Sequence, residues 1–162
     1  MNTKFKKFAT ALSIALSILF LFNCASRNTL KVNAPEAEYL QLALRIIQNY
    51  KEIIEQIENP IIAVSENYSL LMDKNLKLKI SIYLRALQSN GKNLREITNI
   101  PARCLDIHKD LLETAQYLDR FAELIAQAFE ETDVINFSQA INSLTLAPAP
   151  IQRVVKKINE LK

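Results

Sequence analysis

Apolar residues recur along most of this chain at the three- and four-residue spacing of an α-helix. Tyr39, Ala43, Ile46, Tyr50, Ile53 and Ile57 form one seam, which Leu40, Leu44, Ile47 and Ile54 widen. Asn33, Pro35 and Glu36 supply start chemistry: a cap, an early proline and a Glu at the capping-box position. The pattern predicts a helix over 34–58, stopped at Asn59-Pro60 because proline disfavours helical backbone in the residue before it. So wide an apolar arc belongs to a helix central in its own bundle, or to one that offers a second face to another protein.

Pro101 opens the clearest stripe. Cys104, Ile107, Leu111, Thr114, Leu118, Phe121, Ile125 and Ala128 alternate three and four apart, broadened by Leu112, Ala115, Ala122 and Phe129. Asp110, Glu113, Arg120, Glu123 and Gln127 fall mainly off that stripe, so a helix over 101–130 is predicted as the packing centre. Thr132 or Asp133 is expected to cap a shorter helix running to Ser143. Beyond Pro148 and Pro150, residues Ile151, Val154, Val155, Ile158 and Leu161 predict a last amphipathic helix. Its Lys156, Lys157 and Lys162 complement the negative end of the helix dipole.

The stretch 60–99 reads two ways. Ile61, Ile62 and Val64 can start a second helix from Pro60. Leu76, Ile80, Tyr83, Leu84 and Leu87 keep a helical spacing, with Ser89-Asn90-Gly91 as a break or a tolerated interruption. Residues 76–82 also alternate apolar and polar, as a half-buried strand would, with only a faint partner at 142–146. Helix is the reading adopted. The expected fold class is therefore all-α: an antiparallel bundle of about five to six helices, forming a single domain over 34–162.

Residues 1–23 have the parts of a secretory signal: Lys4, Lys6 and Lys7, then fifteen uncharged, largely apolar residues from Phe8 to Phe22. Fifteen residues make about 22 Å of helix, short of the ~30 Å hydrocarbon core, which disfavours a permanent span. Leu21-Phe22-Asn23-Cys24 resembles a bacterial lipoprotein lipobox, in which a leucine three residues ahead of the cysteine guides acylation and cleavage. Leu21 and Cys24 match. Phe22 and Asn23 depart from the commonest pattern and are similar to the relaxed lipoboxes of spirochaete lipoproteins. The resemblance covers about 24 residues and implies cleavage before Cys24, with palmitate-type acyl chains on that cysteine. Residues 24–33 would then be a lipidated cysteine and a flexible tether. Ala25-Ser26 lacks the aspartate that retains many lipoproteins at the inner membrane, so the resemblance favours the outer membrane.

Charge follows the same division. Three of the 20 basic residues and no acidic one lie in 1–23, so residues 24–162 balance 17 against 17. A nucleic-acid reader usually carries a basic surplus, so no nucleic-acid partner is expected. One glycine in 162 residues cannot build a Gly-rich phosphate cradle. With Cys24 acylated, Cys104 is the remaining thiol and an internal disulfide is impossible; without acylation a 24–104 bridge is open.

Candidate chemistry is sparse. His108, the single histidine, follows Cys104 by four residues, a spacing that would let an activated thiolate form on one helix face. No third orienting group is evident, and a cysteine on so apolar a stripe reads as a small hydrophobe beside a boundary histidine. One histidine rules out a di-iron bundle built on paired Glu-x-x-His motifs, and zinc would need carboxylates added to Cys104 and His108. Glu130-Glu131 and Glu36/Glu38 read as solvated or dipole-complementing acids more readily than as a hydrolase pair. No catalytic, cofactor or metal residue is assigned; Cys24 is the one site residue, for lipidation. The expected function is non-enzymatic: a lipid-anchored helical domain in the cell envelope or at the cell surface, held to the bilayer through Cys24 and acting by contact with a protein partner. A carrier enclosing an apolar small molecule or lipid is the alternative, and an envelope hydrolase comes third.

Overall fold

The apolar seam that begins at Tyr39 does not stop at Asn59. In the computed structural model, which describes residues 34–161, helix α1 runs unbroken over Ala34–Glu66. Cys24, the lipobox-like segment, the tether and the expected Asn33 cap lie outside the described residues. The expected stop at Pro60 is thus corrected, and no second helix starts there. The buried positions Tyr50, Ile54, Ile57, Ile61 and Val64 keep one phase across the proline. A helix-interior proline costs roughly 3 kcal/mol, while burying an Ile or Val contributes roughly 1.5–3 kcal/mol each. Ile57, Ile61 and Val64 together outweigh the penalty.

Replacing Pro60 by alanine is therefore expected to raise stability by roughly 1–2 kcal/mol, because the relieved helix penalty exceeds the lost ring burial. An unchanged or lower urea midpoint would show that the ring is needed where it packs.

Asn67 caps a 3₁₀ turn, Tyr68–Met72, its side chain accepting from Ser69 N at 3.2 Å. Asp73 then caps α2, Lys74–Arg95, by accepting from Asn75 N at 2.8 Å and Leu76 N at 3.1 Å. The alternating stretch 76–82 is therefore helical. Wound as a helix, its apolar residues part company: Ile80 is buried, whereas Leu78 and Ile82 point outward and are 62% and 59% exposed. Ser89-Asn90-Gly91 is tolerated inside α2.

After Pro101 a 3₁₀ turn, Ala102–Cys104, leads into α3, Leu105–Glu131, so the regular helix starts later than expected. It ends at Thr132, which takes the left-handed conformation at φ 54°. Asp133 caps α4, Val134–Leu146, by accepting from Ile135 N at 2.7 Å. Only Ala147 separates α4 from α5, Pro148–Glu160. Ser143 Oγ donates to Tyr117 O at 2.9 Å, and Lys157 Nζ donates to Asp106 O at 3.2 Å, so α4 and α5 run back along α3 in succession. Helix α3 touches every other helix, as its sequence stripe predicts. Among the described residues the fold is all-helical, with no strand. Tyr50, Phe121 and Phe137 are its largest fully buried side chains.

Candidate functional site

Most of the polar side chains that the fold buries gather in three places, each with a member on α3. At the start of α1 and α3, Tyr39 and His108 meet: the tyrosine hydroxyl and His108 Nδ1 lie 2.9 Å apart, with the rings edge to face at 6.1 Å. Burial holds the Tyr39 phenol well above its usual range and pulls the His108 imidazole below its own. Both groups are therefore neutral, and the His108 tautomer sets which of them donates the single hydrogen of the bond. Nearby, Arg103 Nη1 donates to the buried Glu36 Oε2 at 3.2 Å. Cys104 is fully buried and has no bridge among the described residues, and burial pushes its thiol up, with Glu36 adding to the effect and Arg103 opposing it. The thiolate needed for nucleophilic chemistry is thus disfavoured. The pairing open in the sequence, Cys104 with His108, gives way to His108 with Tyr39, a partner 69 residues away.

His108 makes stability pH-dependent, with a sign that follows from its burial. Its folded pKa lies below the ordinary 6.5, so the unfolded chain binds the proton more readily. The contribution is fully present above pH 6.5 and drains away as pH falls from there through the folded-state value. His108→Gln is expected to flatten urea midpoints across that acid window. An equally steep profile in the variant would place the pH dependence elsewhere.

The second cluster joins α3 to α5. Asp110, 5% exposed although its position reads from sequence as off the stripe, accepts from Arg153 Nε at 2.9 Å and Lys157 Nζ at 2.7 Å. Arg153 also bridges to Glu113. The Asp110 hydrogen bond, reinforced by the charges of Asp110 and Glu113, holds the Arg153 guanidinium above its usual range. The spacing signal was present: acids three apart on one helix face cations four apart on another.

The third cluster lies among α1, α2 and α3. Asp119 pairs with Arg95, and a Cβ on Gly91 would sit 2.9 Å from Asp119 Oδ1, so the chain's one glycine admits that carboxylate against the backbone of α2. The Tyr50 hydroxyl is buried with no hydrogen-bond partner, and burial together with the Asp119 charge pushes its pKa up. A buried hydroxyl without a partner is a desolvation cost. Tyr50→Phe is accordingly expected to keep or raise stability, by up to about 1 kcal/mol. A loss of that size in a thermal melt would mean that the hydroxyl has found a partner.

Among the described residues no group of three His, Cys, Asp or Glu side chains is placed to hold a metal ion. Glu38, Glu130 and Glu131 are exposed. An open surface groove of 640 Å³ runs between α1 and α2, lined in part by Glu52, Ile53, Glu55 and Tyr83. No protein-family model matches this chain, and no curated protein or solved structure matches it either. No described helix is long and apolar enough to cross a membrane.

Proposed function

We propose that this chain is a membrane-anchored lipoprotein of the bacterial envelope, acylated at Cys24, whose helical domain acts by contact with a protein partner and not by catalysis. The observation that carries the reading is Leu21-Phe22-Asn23-Cys24, set directly behind a basic and then apolar leader. Two or more acyl chains anchor stably where one does not. The domain behind the tether would be an antiparallel bundle of five to six helices, the outer membrane its preferred location. In support, three buried polar groups are tied up by other side chains: His108 by Tyr39, Glu36 by Arg103, and Asp110 by Arg153 and Lys157, while the Tyr50 hydroxyl is buried without a partner.

Mass spectrometry of the N-terminus from native membranes tests the anchor. A mature chain that starts at Cys24 and carries acyl mass is expected; an unmodified Cys24 overturns it. Crosslinking in intact envelopes tests the contact role, for which a reproducible protein adduct is expected, and a chain that yields none counts against it.

A further inference from the structure

Helix α2 carries an outward stripe that the fold does not use. Lys74, Leu78, Ile82, Arg85, Ser89 and Lys92 follow one another at steps of four and three, so they share one face. All six are exposed. The buried set Ile80, Leu84, Leu87 and Leu94 occupies the opposite side, against the core. The helix from Lys74 to Arg95 holds six basic residues and no acidic one, although residues 24–162 as a whole are balanced. Lys74, Lys77, Lys79 and Arg85 make no ion pair among the described residues, whereas Lys92 pairs loosely with the exposed Glu96 at 3.9 Å and Arg95 is taken up by Asp119.

We infer that this face of α2 is a docking surface for an anionic lipid bilayer, on which the helix lies flat. Two exposed aliphatic side chains one turn apart, with basic residues before and after them, match what an interfacial helix offers: short apolar insertion plus attraction to acidic headgroups. The lysine and arginine stems add apolar cover while their charged ends reach the headgroups. The stripe lies on the outside of a helix, a shape suited to a fluid surface that moulds itself around two small side chains.

Reach agrees. The inference rests on the proposed anchor at Cys24, and ten tether residues extend at most about 35 Å. A body whose first helix is about 50 Å long, at 1.5 Å per residue, can therefore lie down beside its anchor. Glu52 and Glu55, across the groove on α1, limit how far the contact extends to that side, so the bound strip should be α2 itself.

The test uses the full acylated chain reconstituted into vesicles of phosphatidylcholine alone or mixed with phosphatidylglycerol. An environment-sensitive fluorophore is attached at Ile82→Cys or, for comparison, at Gln152→Cys on α5. In the anionic vesicles the probe at 82 is expected to shift to the blue and to be quenched by brominated acyl chains, while the probe at 152 keeps aqueous emission. The triple variant Lys74→Gln/Arg85→Gln/Lys92→Gln should still float with the vesicles but lose the shift. Floated protein with aqueous emission at 82 overturns the docking surface and leaves the anchor standing. A blue shift that the triple variant retains, or that is equally large but unquenched by brominated acyl chains, overturns it in favour of a protein occupant or a second copy. Protein that does not float sinks the anchor, and the docking surface with it.

Discussion

Phe121→Ala is expected to lower stability by roughly 3–5 kcal/mol, the range for emptying a buried aromatic site. Phe121 is fully buried midway along α3, the one helix that touches all the others, so a cavity there loosens several contacts together. Against a total stability of about 5–15 kcal/mol for an ordinary domain, that is a large fraction. Each kcal/mol moves the melting temperature of a domain this size by about 3–5 °C, so a fall of roughly 10–20 °C should follow by circular dichroism. Met72→Ala, at a side chain 67% exposed, should stay within about 0.5 kcal/mol of the parent. A Phe121→Ala protein that melts with the parent would show that α3 is not the centre of packing.

Asp110→Ala is the second large effect, expected at about 2–3 kcal/mol. Removing one member of a buried ion pair costs roughly 3–5 kcal/mol when the remaining charge is stranded. Here the stranded cations are partly wet: the Arg153 and Lys157 side chains are 44% and 34% exposed, and Arg153 keeps Glu113. The loss should therefore fall below the full figure yet exceed that of an exposed pair such as Lys156 with Glu160. Urea midpoints give the size. In a double-mutant cycle, the Asp110→Ala/Arg153→Ala variant should lose less than the sum of the two single losses. Additive losses would mean that Asp110 acts through packing alone.

Both predictions concern α3, and that helix was the most legible part of the sequence. Its stripe from Cys104 to Ala128 is long, wide and free of competing signals, so periodicity alone placed it. Pro60 misled because a local preference of one residue was weighed without the packing of Ile57, Ile61 and Val64, which share a face only if the helix continues. Residues 76–82 were ambiguous for a related reason. Alternation describes which residues are apolar, and only the absence of a paired strand decides that half of them face out.

The polar clusters were less legible still. A helical wheel shows which side a residue lies on but not what stands opposite, so Cys104 was the visible neighbour of His108, while its partner in the fold, Tyr39, came from a distant helix. Asp110 falls off the apolar stripe, and nothing local shows its burial because its cations lie on α5, more than forty residues along the chain. Cys24, the single site residue read from the sequence, lies outside the described residues, so its role rests on the lipobox resemblance.

The sealed thiol of Cys104 gives the molecule a clock. With no exposed surface and its ionisation suppressed by burial, the sulfur can react with an alkylating reagent only when the start of α3 parts from its neighbours. The rate at which the intact domain takes up label therefore reports openings at that one place, the start of α3, without a mutation to disturb them.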